Sequence, residues 1–268
     1  MRVRNNNLPI SVLVASFNEG HLLEDCLKSI QFCDEIVVLS LKCTDNTETI
    51  ARQYADVFYY EDSQPEYCEI FFEKYIPKLK NDWFILIDPD ERLSESLVES
   101  IRTTMTTVPD DISMIRIPMF NYFKRKRLKG TVYGGINYAR LLYRFSGVNI
   151  GNEVHEGIKL KSNFNRIKIK FEGQNYDTHF WCDSWSQLLK KHSRYLKGEG
   201  KAQYNLGTRY SFKKQWYNSI IRFYYSFKTR QGYKDGLTGF LLSFIAARYE
   251  FIKFRELRKY EKLIKNTK

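Results

Sequence analysis

Ile10-Ser-Val-Leu-Val-Ala-Ser-Phe17-Asn18-Glu19-Gly20 is a β-branched apolar run of strand length that ends abruptly in polar residues. A run this uniform, with no polar alternation, predicts a strand covered on both faces, as in a parallel sheet. Working outward, Gly20 to Ile30 carries Leu22, Leu23, Leu27 and Ile30 at helical spacing. Glu35 to Leu41 (EIVVLSL) reads as a second strand, and Asp45 to Tyr54 as a helix capped in the Thr44/Asp45 region. Val57 to Tyr60 is a short third strand, Glu66 to Leu79 a helix, and Trp83-Phe-Ile-Leu-Ile-Asp88 a fourth strand running into acid. Ser94 to Met105 is a further helix with Ser94 as its cap. Strands alternating with helices predict an α/β fold whose parallel sheet has helices on both faces.

From Ser113 the rhythm changes. Met114 to Met119, Ala139 to Phe145, Gly157 to Lys161 and Arg166 to Phe171 read as strands punctuated by glycines, an antiparallel or mixed half added to the first. Beyond about Ser184 the chain is helical and basic.

In 268 residues, 43% are hydrophobic and 16% aromatic, which supplies a large core and excludes a disordered or low-complexity chain. Forty-three Lys and Arg against thirty-one Asp and Glu leave a formal charge of +12. That excess favours a polyanionic partner and does not choose among nucleic acid, an anionic membrane surface and phosphorylated substrates. Cys26, Cys33, Cys43, Cys68 and Cys182 form no CxxC pair, so reduced thiols in a cytosol are expected. Arg2 and Arg4 precede the first apolar run as in a signal peptide, but that run ends in Asn18-Glu19 without a small-residue cleavage site. No stretch reaches the roughly 18–20 apolar residues of a spanning helix, and Gly236 to Ala247 stops at Arg248. A soluble or peripheral protein is expected.

Ligands of open parallel sheets bind at the carboxyl ends of the strands. Strand one ends in Phe17-Asn18-Glu19, strand two in Ser40 with Asp45 behind it, and strand four in Asp88-Pro89-Asp90-Glu91. Solvated loops are polar in any case, so one such residue taken alone carries little. Three carboxylates in four residues are different, because they repel one another without a cation among them. Oxygen ligands of this kind suit Mg²⁺ or Mn²⁺ bridging to substrate phosphates. An aspartyl phosphatase also begins with Asp-x-Asp after a strand, but would want Thr or Val where Arg92 stands.

The ordered set Ser11-Val-Leu-Val-Ala-Ser-Phe-Asn-Glu19, Thr44-Asp45-Asn46-Thr47 and Trp83 to Arg92 resembles the family 2 glycosyltransferases, within them the group of lipopolysaccharide-core glucosyltransferases. Arg140-Leu-Leu-Tyr-Arg144, Val154-His155-Glu156, His179 and Lys234-Asp235-Gly236-Leu-Thr-Gly239 resemble further elements of that group, so the likeness spans roughly 8 to 255. The resemblance implies a GT-A fold, a Rossmann-like mixed sheet with helices on both faces, plus a helical, basic C-terminal extension. It implies a catalytic domain over 1–184, with a nucleotide-binding half at about 8–112 and an acceptor-binding half at about 113–184. The extension would cover 185–268.

Activity follows in the same way: an inverting, metal-dependent transfer from a nucleotide-sugar, a UDP-sugar first, to a glycan or lipid-linked acceptor of bacterial surface polysaccharide. Phe17, Asn18 and Glu19 would line the nucleotide pocket, with Ser40, Asp45 and Arg140 in the same donor-binding set. Asp88 would meet the ribose or the water shell of the metal, and Asp90 would ligate the metal, Mg²⁺ or Mn²⁺. His179 would approach the metal or diphosphate from the other side, and Glu156 would be the general base. Ser40 stands where the family usually has an Asp that reads base or ribose, and Lys42-Cys43 and Asn46 depart from its usual Gly-Ser and Gly. The implied location is the cytoplasm, at the inner face of the cytoplasmic membrane.

The remaining features have plainer readings. His155 orients its loop, and His21 and His192 are structural. Lys124-Arg125-Lys126-Arg127 reads as a solvated hairpin tip ahead of a nucleic-acid patch. From Ser211 to Tyr233 there are no acidic residues, five basic ones and eight aromatics, with Trp216, Ile220, Phe223, Tyr224 and Phe227 on one helical face. That face suits either an anionic membrane interface engaged through 211–268 or packing on the rest of the chain, and a lipid-linked acceptor favours the membrane. The rivals are a nucleotidyltransferase, which would want a Gly-rich loop after strand one, and a nucleic-acid-binding protein, which leaves the acids at Asp88, Asp90 and Glu91 unexplained. Nucleic acid is therefore not the expected partner.

Overall fold

The structure, a computed structural model, describes residues 7–63, 68–151 and 157–267. In chain order the first elements are β1 (Leu8–Ser16), α1 (Gly20–Ser29), β2 (Cys33–Leu41), α2 (Thr47–Tyr54), β3 (Val57–Glu61), α3 (Phe72–Tyr75), β4 (Trp83–Ile87), β5 (Glu91–Leu93) and α4 (Glu95–Thr107). Then come β6 (Ile112–Phe123), β7 (Lys126–Arg127), β8 (Ile136–Arg144), β9 (Val148–Ile150), β10 (Ile158–Leu160), β11 (Asn165–Lys168) and β12 (Asp177–Cys182). Three helices complete the chain: α5 (Trp185–Asn205), α6 (Phe212–Tyr224) and α7 (Gly236–Thr267). The chain forms two compact units, one running to Met119 and including Asn137–His179, the other made of Phe120–Ile136 and everything from Phe180 on.

In the first unit β1 pairs in parallel with β2 on one side and β4 on the other, Val12 lying opposite both Ile36 and Ile85. The sheet order is β3-β2-β1-β4-β8-β6-β12-β5. It turns mixed where β8 runs antiparallel to β4, while β11 lies parallel to β6. Strand periodicity of two sends alternate side chains to opposite faces. Ile10, Val12 and Val14 pack with Leu23 and Leu27 of α1 and Leu97 and Ile101 of α4. Leu13 and Phe84 point the other way, onto Tyr75 and Ile76. Each such side chain, fully buried, contributes about 1.5–3 kcal/mol. Both faces are covered, so the α/β architecture matches the expected one, helical C-terminal region included.

Two local expectations change. The single helix expected over Glu66 to Leu79 is a short chain of turns, 3₁₀ over Cys68–Phe71, α3, and 3₁₀ again over Ile76–Lys78, with 64–67 outside the described residues. Pro77 lacks an N–H and cannot extend an α-helix across that point. The strand expected over Arg166 to Phe171 ends at Lys168. Ser94 caps α4 as expected, its Oγ accepting from the Leu97 N–H at 3.2 Å.

The second unit holds the hairpin of β6 and β7, in which Tyr122 pairs with Arg127 and Phe123 with Lys126. Lys124 and Arg125 both have φ near the left-handed value, 51° and 61°, the conformation of a two-residue I′ turn. The basic cluster is thus an exposed hairpin tip, as expected. Phe123, Leu128, Cys182, Leu188 and Leu242 form the core of this unit with Trp181 and Trp185 around them. His192 sits among Tyr133, whose hydroxyl meets Nε2 at 3.4 Å, and the Tyr249 ring at 4.9 Å. Burial, aided by the Arg248 charge, pushes its pKa down to about 4, so it is a neutral, structural histidine. No helix among the described residues is long and apolar enough to cross a membrane.

The Asp235-Gly236-Leu-Thr-Gly239 stretch has a structural role in this unit. Asp235 accepts from the Lys129 and Gly130 N–H groups at 2.9 and 2.8 Å. Gly236 has φ +58°, and a Cβ on Gly239 would lie 1.8 Å from the Gly232 carbonyl oxygen. Gly239→Ala is therefore expected to destabilise the protein by about 1–3 kcal/mol through forced overpacking. Gly198→Ala, whose Cβ meets nothing within 4 Å in α5, should instead stabilise by about 0.5–1 kcal/mol. Urea denaturation of both variants checks this contrast; equal midpoints would reject it.

Candidate active site

The order β2-β1-β4 places chain connections on opposite sides of β1, which makes the carboxyl ends of β1 and β4 a topological switch point. Phe17, Asn18 and Glu19 follow β1 there, and Asp88 follows β4. Phe17 is exposed, and Asn18 adopts φ +51°, a left-handed turn that Asn tolerates better than most residues. The Asn18 carboxamide oxygen accepts from the Thr44 N–H at 2.8 Å. The Asn18 N–H approaches Cys43 Sγ at 3.2 Å, and that thiol donates to the Ser16 carbonyl at 3.1 Å. The loops after β1 and β2 are therefore bound into one surface.

Asp45 strengthens the same union. Its carboxylate accepts from the Gly20 N–H at 2.8 Å and from the Thr47 N–H and hydroxyl at 3.1 and 2.6 Å. Burial raises its pKa, but these hydrogen bonds outweigh burial and hold it below the ordinary value. A Cβ on Gly20 would lie 2.1 Å from the Asn46 side-chain oxygen and 3.0 Å from an Asp45 carboxylate oxygen, so a larger residue there would displace the Asn46 side chain. Ser40 lies buried on β2 opposite Ser16 of β1 and Tyr60 of β3.

The acidic run is a tight turn. Its Glu91 N–H donates to the Asp88 carbonyl at 3.0 Å, and the Asp88 N–H donates to the Glu91 carboxylate at 3.1 Å. Asp88 is exposed, whereas Asp90 and Glu91 are buried. Arg92 anchors the turn from beneath. One guanidinium nitrogen donates to the Pro89 and Glu91 carbonyls at 2.6 Å, and the other to the Leu22 carbonyl of α1 at 2.5 Å. The residue that argued against a phosphatase in the sequence thus holds the acid turn to the helix behind the first strand.

Strand β12 supplies the opposing group. It pairs antiparallel with β5, His179 lying opposite Glu91, and this register brings His179 Nε2 within 3.5 Å of Asp90 Oδ2. Burial works to lower the His179 pKa, but the Asp90 contact and the charges of Asp90, Glu91 and Asp88 outweigh it and raise it. Two residues of the expected metal pair therefore meet, on elements far apart in sequence. Among the described residues no three His, Cys, Asp or Glu side chains are grouped to hold a cation. A carboxylate still fits a divalent ion that takes its other ligands from phosphate oxygens and water, the usual set for Mg²⁺, and the His179 imidazole adds a softer nitrogen donor beside it.

Glu156 and His155 lie outside the described residues, as does the Arg140 side chain; Arg140 itself is placed on β8. His21 is exposed on α1. Sequence reasoning did not find Cys43 or the positioning role of Arg92, and it missed β5 and β12. The aromatic, β-prone Thr178-His-Phe-Trp181 was the available signal for β12. Because Arg92 satisfies three carbonyls through a planar fork, Arg92→Lys keeps the charge but not the geometry. That variant is expected to lose about 1–3 kcal/mol of stability by urea denaturation, and no change would remove the anchoring role.

Residues 11–169 match the family model described as glycosyl transferase family 2. The chain is 26% identical to the lipopolysaccharide core biosynthesis glycosyltransferase LpsC of Rhizobium meliloti (strain 1021), over 91% of this chain and 90% of that protein. It is 25% identical to an uncharacterized glycosyltransferase of Rickettsia felis, over 96% of this chain and 91% of that one. A solved structure of glucosyl-3-phosphoglycerate synthase from Mycobacterium tuberculosis, in complex with Mn²⁺, UDP-glucose and phosphoglyceric acid, aligns with 75% of this chain and 81% of its own, at 12% identity and a TM-score of 0.47. The family model covers more than half of the chain and takes in β1 from Ser11 on, β4 and the acid turn that follows it, whereas β12 lies beyond its end. The chain belongs to glycosyl transferase family 2.

Proposed function

We propose that the chain transfers a sugar from a nucleotide-sugar donor to a glycan or lipid-linked acceptor, with inversion at the anomeric carbon, in the assembly of a bacterial surface polysaccharide. The observation that carries this reading is the acid turn at the switch point, with Asp90 held against His179. The part of the Rhizobium relative in lipopolysaccharide core biosynthesis supports a lipopolysaccharide-type acceptor. The catalytic domain is assigned to 1–184 and the helical extension to 185–268.

Asp90 and His179 would hold a divalent cation, which supplies positive charge to the departing diphosphate when bound. Asp88, exposed beside them, would accept from ribose hydroxyls or from bound water. Phe17 offers an aromatic face for the base. Asn18 and Asp45 act one step back, because their side-chain oxygens hold the two loops together. Ser40, buried on β2, puts no carboxylate where one would discriminate uracil, so a UDP-sugar is assigned without that contact. Glu156 takes the proton of the acceptor hydroxyl as its oxygen attacks the anomeric carbon and the bond to the diphosphate breaks. A single displacement with a single base inverts the configuration.

Thermal unfolding with UDP-, GDP-, dTDP- and CDP-sugars, each with and without Mn²⁺, tests the donor. A ligand at about 100 times its Kd should stabilise by about 2.7 kcal/mol. Asp90→Ala is expected to lose the metal-dependent part of that stabilisation; an unchanged shift would remove Asp90 as a ligand. Glu156→Gln should keep the donor shift while turnover falls by about 100-fold or more, and near-normal turnover would remove the base.

A further inference from the structure

α6 buries polar residues and exposes apolar ones, and the first turns of α7, although they bury Leu242 and Ala246, expose large apolar side chains as well. In α6 the buried residues are Gln215 and Ser219, 3% and 7% exposed, whereas Ile220 is 63% exposed. Polar and small contacts recur along the seam, beside aromatic ones such as Trp216 on Phe251, ring centroids 4.9 Å apart. Gln215 donates to the Phe251 carbonyl at 2.9 Å, Ser219 donates to the Gln215 carbonyl at 2.7 Å, and Ser226 meets Ser243 at 2.8 Å. Gly239 packs against the Gly232 backbone, leaving no room for a side chain. Small residues and satisfied hydroxyls at a helix seam, with apolar side chains outside, are the arrangement of helices surrounded by lipid. Water would favour the reverse.

The outer surface is continuous in character across both helices. Phe212, Tyr217, Ile220 and Tyr224 stand exposed on α6. On α7, Leu237, Phe240, Leu241 and Phe244 fall at helical spacing on one exposed stripe, which ends at exposed Arg248. The exposed set differs from the face expected from helical spacing alone. Phe223 and Phe227 turn inward, their rings 5.6 and 5.8 Å from that of Phe240, while Trp216, Ile220 and Tyr224 remain exposed. A π-helical segment over Tyr225–Thr229 causes part of this change by shifting the phase of the helix.

Charge selects the partner. Lys213, Lys214, Arg222, Lys228 and Arg230 are all exposed around this surface, and no acidic residue occurs between Ser211 and Tyr233. At the start of α6 a groove of about 410 Å³ is lined by Phe212 together with Arg255, Arg258, Lys259 and Lys262, with Lys259 paired to Glu256. A second protein copy would bring the same positive charge to the interface, whereas anionic headgroups neutralise it. We propose that the α6–α7 hairpin seats the protein on an anionic lipid surface, its aromatic and aliphatic side chains entering the interface and its Lys and Arg side chains meeting headgroup phosphates. The helices lie in the interface without crossing it.

Co-sedimentation of the full chain with phosphatidylcholine vesicles, with and without phosphatidylglycerol, tests this independently of any transferase activity. Binding is expected only to the phosphatidylglycerol vesicles and is expected to weaken as salt rises. Ile220→Ser combined with Leu237→Ser and Phe244→Ser should cut partitioning at least tenfold while leaving the melting temperature near that of the parent. Lys213→Glu with Lys214→Glu should cut it about tenfold with every apolar residue in place. Absence of binding to phosphatidylglycerol vesicles, or binding unaffected by either variant, overturns the proposal. So does a dimer in solution that the triple variant dissociates without any vesicle binding by the parent, because the face would then belong to a second copy.

Discussion

Parallel pairing of β1 with β2 on one edge and β4 on the other is the constraint on which the first unit depends. A strand hydrogen-bonded on both sides and covered on both faces has no freedom to slip. A shift of one residue would move Ile10, Val12 and Val14 from one core to the other. That fixed register sets where β1 and β4 end, and so where Phe17–Glu19 and Asp88 stand relative to one another. The polar loops are then secured by side chains acting on backbone. Asp45 holds the Gly20 N–H, Asn18 holds the Thr44 N–H, and Arg92 holds carbonyls of both the acid turn and α1.

This arrangement separates the residues that support a site from those placed to touch a ligand. Buried carboxylates are costly unless hydrogen-bonded or paired. Glu91 receives the Asp88 N–H and Asp90 faces His179, so the turn keeps its acids in place and leaves Asp88 exposed. Three acids within four residues, self-repelling in the extended chain, become an ordered cluster through one arginine and one histidine.

The second unit follows another rule. Its core around Phe123, Leu188 and Leu242 is conventional, with apolar side chains inside. Along α6 and the first turns of α7 polar residues, Gln215, Ser219, Ser226 and Ser243, are buried while several large apolar side chains stand outside. The two patterns share α7, since Leu242 faces the core while Leu237 and Phe244 face outward. One long helix thus carries a water-adapted packing face and an apolar exposed stripe.

Much of this was legible locally. Uninterrupted β-branched runs marked β1, β2 and β4, helical spacing marked α1 and α4, and Ser94 marked a cap, because period and capping chemistry are written in neighbouring residues. The acid turn was legible for the same reason, its charge density being a property of four consecutive positions. The broken helix around α3 was misread because apolar spacing continued through Pro77, where the missing N–H decided otherwise. Local residue patterns thus set the alternation of strands and helices, the acidic strand end and the basic, aromatic character of the C-terminal region. That His179 meets Asp90, that Arg92 is an anchor and that Phe223 turns inward while Ile220 does not came from the folded chain alone. Those outcomes depend on which distant strand pairs with β5, which carbonyls come within reach of a guanidinium, and which side of α6 its neighbour covers. No local period encodes such non-local pairings.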